Sequence, residues 1–190
     1  MRFRHHRIAL APAFLPIALA ITGCGQSASR QVERGRVLVI AAGCNDCHTT
    51  KKPGPKGPEP DMSKMLSGHP EEIKITAPYQ PAAGSPWTVG TTDGLTAWSG
   101  AWGVSFAANL TPDQNTGLGI WTEGMFVKAL KTGKHMATSR DILPPMPWNW
   151  YAQLSEDDLK AIFVYLRTIP AITNHVPDPL PPVVVVASTP

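Results

Sequence analysis

Two cysteines three positions apart, with a histidine directly after the second, stand at Cys44-Asn45-Asp46-Cys47-His48. No other stretch restricts the fold as strongly. Thiols at this spacing reach the two vinyl groups of a single haem and add across them as thioethers, and the adjoining imidazole then lies beneath the iron as its proximal ligand. A chain built this way has to wrap a large rigid group. Other uses of the same residues fit poorly. A thioredoxin-like redox pair wants a strand before it and a helix after it, whereas Lys51-Lys52-Pro53-Gly54-Pro55 follows here. Half a zinc site would need further ligands, and Cys24 is the one cysteine left.

The chain has 190 residues, enough for one domain, with 20 prolines and 16 glycines that break regular elements and predict long irregular connections around the rigid centre. The formal charge of +3 includes Arg2, Arg4 and Arg7, which fall in a segment expected to be cleaved; without them the basic residues equal the 14 acidic ones. A neutral mature chain excludes nucleic acid as a partner class and leaves electrostatic steering to local patches.

Residues 1–23 read as an export signal. Met1 to Arg7 is basic, and Ile8 to Ile21 is an apolar run too short to span a bilayer and interrupted by Pro12 and Pro16. It ends in Ile21-Thr22-Gly23-Cys24, which resembles the lipobox of bacterial lipoproteins. That resemblance implies lipidation of Cys24, a lipidated tether over 24–29, and membrane anchoring facing the periplasm. Gly25 after the cysteine implies the outer membrane, with the inner membrane as the alternative.

The spacing of Val32, Gly35, Val39 and Ala42 predicts a helix over 30–43 whose buried face carries a glycine, so a second helix should approach closely there. Phe163 and Tyr165 are the candidates for that contact. The proline segment Lys51 to Pro60 is expected to be irregular, and the stretch 53–102 to be a long irregular insert. Within it, a short helix at 63–66 and small strands at 88–92 or 104–108 are the only elements expected. Trp87, Trp98 and Trp102 would cover the haem edge or fill the insert's own core. Lys51, Lys52 and Lys56 form a basic group beside the attachment motif.

Thr122 caps a helix expected to run through Lys131, with Phe126, Ala129 and Leu130 inward and Gly133 as its stop. Ser155, followed by Glu156, Asp157 and Asp158, starts another, with Leu159, Ile162, Phe163 and Leu166 on one face and Pro170 after its end. Between them, Leu143-Pro144-Pro145-Met146-Pro147 presents a thioether, a soft ligand suited to the sixth position of haem iron, on a loop whose prolines limit its freedom before binding. His69, His135 and Met136 compete for that position. The proline-rich tail 173–190, with apolar Val183 to Val186, is expected to be an extended strap or a loose end.

The order of helix, CNDCH, proline loop, helix, proline-flanked methionine and amphipathic last helix resembles class I cytochrome c. The stretches ANLTPDQNTGLGIWTE, PPMPW and LSEDDLKAIFVYLRTIP are similar to cytochrome c domains of bacterial respiratory chains and of cytochrome subunits of periplasmic dehydrogenases. The resemblance covers about residues 30–172. It implies an all-α fold around one covalent haem c, bound through Cys44 and Cys47 and ligated by His48 and Met146. It also implies that a carbonyl of the proline loop, at Pro55 or Pro58, accepts the other ring proton of His48.

The function expected is electron transfer rather than catalysis, since histidine and methionine at the two axial positions leave no open site for substrate. Partners would be a dehydrogenase, a quinol-oxidising complex or a terminal oxidase, and the chain could equally be a permanent subunit of such an assembly. A peroxidase or gas sensor would instead need a vacant sixth position, with His135 and Arg140 as distal groups.

Overall fold

The computed structural model describes residues 22–183, with side chains described from Ser27 onward. The expected signal segment therefore lies outside the described residues except at its last positions. Cys24 falls in a helix by its backbone, but its side chain is outside the described ones.

Five α-helices and two small antiparallel sheets make up the regular structure of the described residues: α1 (Thr22–Ala41), α2 (Cys44–His48), α3 (Glu123–Thr132), α4 (Trp148–Tyr151) and α5 (Glu156–Leu166), with β1 (Lys51–Gly54) and β2 (Gly57–Pro60) in one sheet and β3 (Gly90–Thr91), β4 (Ala97–Gly100) and β5 (Gly103–Phe106) in the other. The architecture is mixed α/β and about 32% helical, which corrects the all-α expectation. Strands β3 and β5 fall where short strands at 88–92 or 104–108 are expected, whereas β1, β2 and β4 lie in stretches expected to be irregular.

Each strand has a local cause. In the first hairpin Lys51 pairs with Pro60, Lys52 with Glu59 and Pro53 with Pro58. The prolines thus fall on alternate pairs, where a strand N–H would face outward, and the Lys52–Glu59 pair between them keeps its donors for the ladder. A proline-dense segment can therefore be a regular two-stranded ribbon. In the second sheet, β4 and β5 turn through Ala101 and Trp102, with Gly100 opposite Gly103. Gly and Ser supply four of these eight strand residues. They carry little strand propensity, so the signal is weak in the sequence.

The helices follow their caps. Thr122 Oγ1 accepts from Met125 N at 3.2 Å, and Gly133, left-handed at φ 67°, closes α3. Ser155 Oγ accepts from Asp158 N at 3.1 Å at the acidic start of α5. Each such cap contributes about 1 kcal/mol. The buried faces of both helices meet in one core made of Val39, Leu66, Leu118, Phe126, Val127, Leu130, Leu159, Ile162, Phe163, Leu166 and Ile169. Burying each of these side chains contributes roughly 1.5–3 kcal/mol.

Helix α1 starts well before the expected Arg30 and takes in the polar stretch 26–29. Its crossing with α5 is as close as Gly35 predicts: a Cβ built there would stand 1.9 Å from Ala161 O and 2.8 Å from Tyr165 Cβ. Tyr165 rather than Phe163 is the side chain at this contact, and Phe163 packs on Phe126 with ring centroids 5.4 Å apart. Arg34 Nε donates to Asp158 Oδ1 at 2.8 Å across the same pair of helices.

After α5 the chain runs extended and tied down. Asn174 is buried, donates to Ser67 O (2.7 Å) and His69 O (2.8 Å), and accepts from Glu71 N (3.0 Å). Further on, Leu180 exchanges backbone hydrogen bonds with Val104 at 2.9 and 3.0 Å, adding one bridge to the outer edge of β5. This part of the tail is a strap.

Candidate haem-attachment site

Helix α2 is the attachment motif itself, five residues long and entered through Gly43 in the left-handed region at φ 66°. Its exit is tied on three sides. Thr49 Oγ1 donates to Asn45 Oδ1 at 2.8 Å and accepts from Leu66 N at 2.9 Å, and Gly68 N donates to His48 O at 2.8 Å. The single turn is thereby fixed against the segment 66–69.

His48 is only 8% exposed, and its Nδ1 lies 2.7 Å from Ala108 O. A carbonyl can only accept, so Nδ1 carries the proton and Nε2 is left with a free lone pair. No hydrogen bond is made to Nε2, yet no buried side-chain nitrogen or oxygen among the described residues lacks a partner. Nε2 therefore keeps some accessible surface of its own rather than being sealed in the protein. Burial lowers the pKa of the ring against the opposing pull of the Ala108 carbonyl, which keeps the imidazole neutral and able to ligate.

The carbonyl that orients His48 is thus Ala108, not Pro55 or Pro58. Those two prolines belong to the β1–β2 hairpin, which is closed on itself. Ala108 is held from both sides: Ala107 O accepts from His69 N (2.9 Å) and Leu110 N donates to Leu66 O (2.8 Å). Gly68 permits this approach, with φ 83° and only 2.5 Å between a would-be Cβ and Ala107 O. Beyond it, Asn109 donates to Ile172 O (2.8 Å) and accepts from Thr111 N (3.0 Å), so the strap also steadies the carbonyl.

The two thiols lack the lowered pKa of a redox-active pair. Burial raises the pKa of Cys44 to about 11 and also raises that of Cys47, with Asp46 adding to both. A redox-active CxxC has the opposite shift. Tyr151 stands beside them, its hydroxyl donating to Ala42 O at 2.8 Å; burial first, then the negative groups at Cys44, Cys47 and Asp46, pushes its pKa up to about 12. Nothing in its spacing marked Tyr151 in the sequence.

Met146 is partly buried against the same core cluster as Cys44, as is Met65. Its loop contains the cis peptide Pro144–Pro145 and is braced by Met146 N to Leu143 O (3.3 Å) and Trp148 N to Met146 O (2.9 Å). Two of the competing side chains, His69 and His135, have protein partners of their own. His69 is wholly buried with both nitrogens engaged, Nδ1 with Thr96 Oγ1 and Nε2 with Ile73 O, each at 2.9 Å. His135 stands edge-on to Trp121, centroids 5.4 Å apart, with Nδ1 near Ser139 Oγ. Trp87 is 73% exposed, Trp98 donates to Leu95 O, and Trp102 donates to Ser105 Oγ. The latter two indole N–H groups are thus spent inside the insert.

Two neighbouring thiols followed directly by an oriented imidazole suit attachment of a c-type haem. That defines the class of site, and comparison with known proteins agrees. The chain is 28% identical to the fructose dehydrogenase cytochrome subunit of Gluconobacter japonicus over 72% of its own length and 21% of that protein. It is 39% identical to the gluconate 2-dehydrogenase cytochrome c subunit of Pantoea cypripedii over 33% of its length, and 36% identical to the cytochrome c subunit of the quinone alcohol dehydrogenase of Gluconobacter oxydans over 40%. The chain spans about a seventh to a fifth of the length of these relatives. No family model matches it. The relatives are cytochrome c subunits of bacterial dehydrogenases, which supports an electron-transferring c-type cytochrome rather than a catalytic enzyme.

Proposed function

We propose that the protein is a single-haem electron carrier working beside a dehydrogenase on the periplasmic side of a membrane, to which a lipid on Cys24 holds it. The observation that carries this reading is the 2.7 Å contact between His48 Nδ1 and Ala108 O, with Cys44 and Cys47 on the same helical turn as His48. Bound haem would supply the one-electron ferric–ferrous couple.

The chain's own residues do the rest. Cys44 and Cys47 would hold the macrocycle covalently, and His48 would offer Nε2 to the iron while Ala108 fixes the plane of its ring. Met146 would offer its sulfur as the iron's second protein ligand, which would keep small molecules from the metal. Among the described residues no helix is long and apolar enough to cross a membrane; in this reading the anchor is the lipid on Cys24. Dehydrogenase subunits among the relatives support a dehydrogenase as donor, with the protein as a bound subunit or a mobile one. A quinol-oxidising complex as donor and a terminal oxidase as acceptor are the other partners this reading admits.

A redox titration of the periplasmically matured protein tests it. The expected result is one wave with a one-electron slope and a ferrous form whose spectrum carbon monoxide leaves unchanged. Ready carbon monoxide binding would overturn it in favour of a sensor or peroxidase.

A further inference from the structure

Most buried polar side chains of the second sheet serve the sheet and its surrounding loops. Ser99 Oγ accepts from Tyr79 N at 2.8 Å, and Thr96 Oγ1 is tied to His69 at 2.9 Å. Ser105 differs. It is a buried residue of β5 whose hydroxyl has two carbonyls in reach, Trp98 O within the sheet at 3.4 Å and Pro144 O of the methionine loop at 2.5 Å, so the nearer acceptor draws its proton out of the sheet to the loop. Its oxygen accepts the indole N–H of Trp102 at 3.3 Å, which orients the hydroxyl toward the loop.

Pro144, Pro145 and Pro147 have no N–H, and the bonds at Met146, Trp148, Trp150 and Tyr151 stay within the loop and the helix that follows it; besides the Ser105 contact, the described hydrogen bond that ties this stretch to another element is Ile142 N to Gly133 O at 2.7 Å. The strand behind the hydroxyl is firm, because Val104 is bonded in both directions to Leu180 of the strap. We infer that Ser105 is a positioning residue for the Met146 thioether, and that the β3–β5 sheet is the mount of the loop carrying the sixth ligand. This rests on the ligation proposed above. A hydroxyl that holds the loop in one place raises the population in which sulfur stays at the iron, against forms in which another ligand has replaced it.

The test is imidazole binding to the ferric matured protein, since imidazole competes with the thioether for the sixth position. Ser105→Ala is expected to bind imidazole about five- to tenfold more tightly than the wild type, the equilibrium weight of one neutral hydrogen bond. Ser105→Thr keeps a hydroxyl and should return most of the way to wild type. Ser99→Ala removes a buried hydroxyl from the same sheet without touching the loop, so it should lower thermal stability and leave imidazole affinity alone. Trp102→Phe should shift affinity in the same direction as Ser105→Ala by about two- to threefold, and it carries the test if Ser105→Ala does not accumulate. Equal affinities in wild type, Ser105→Ala and Trp102→Phe overturn the role of Ser105 alone. A wild type without the near-infrared sulfur-to-iron band overturns the ligation first, and the positioning role with it.

Discussion

Replacing Cys44 and Cys47 together by serine is expected to abolish covalent haem attachment. On a denaturing gel the haem stain should vanish, and the mass of the polypeptide should fall to that of the chain alone. Serine keeps the size and polarity of the site but its hydroxyl does not add to a vinyl group as a thiol does. Each single variant should retain one thioether and a weakened stain. The effect should extend to the fold, because Cys44 and Met146 both border the core and the haem they are proposed to hold would no longer pack there. The double variant should therefore yield little stable protein. Full haem retention would contradict the assignment of both thiols.

The second large effect belongs to Gly35→Ala. An added methyl carbon would stand 1.9 Å from Ala161 O and 2.6 Å from Ala161 C, both backbone atoms that no rotamer change can move aside. Helices α1 and α5 would have to separate, and the Arg34–Asp158 ion pair and Tyr165 contact would loosen with them. We expect a loss of about 3 kcal/mol or more, at the upper end of overpacking costs. Gly124→Ala supplies the internal comparison: it lies in α3 with nothing near its missing Cβ, so the same substitution there should stabilise by roughly 0.5–1 kcal/mol. Chemical denaturation of the haem-loaded variants measures both. A Gly35→Ala protein as stable as the wild type would mean that the two helices do not cross as described.

The Gly35 contact was legible because a glycine on an apolar helical face has few explanations, and helices α3 and α5 were legible because Thr122, Gly133 and Ser155 mark their ends. Of the second sheet, β3 and β5 fall where short strands at 88–92 or 104–108 are expected, while β4 and the pairing were not legible, since Gly100, Gly103, Ser99 and Ser105 give strands whose register depends on a two-residue turn and on Leu180, 76 positions after its partner Val104. The first hairpin was misread for another reason. Prolines were counted as breakers, whereas their alternation places every missing N–H on an outer edge. In the site, CNDCH marked three residues by chemistry alone, while Ala108, Tyr151 and Ser105 act through a carbonyl or hydroxyl placed by tertiary structure. Asn174 belongs with them: one side chain ties together Ser67, His69 and Glu71, and only the folded strap brings it there.

The electron-transfer reading turns on the sixth ligand, and Met65 and Met146 are the methionines that border the core. The near-infrared absorption of the ferric matured protein tests it most directly, with wild type, Met146→Ala and Met65→Leu measured side by side. The predicted result is a weak sulfur-to-iron band in the wild type, retained in Met65→Leu and lost in Met146→Ala, whose ferrous form then takes carbon monoxide. A band that survives Met146→Ala, or a wild type that lacks it, would contradict ligation by Met146 and with it a closed, electron-carrying haem.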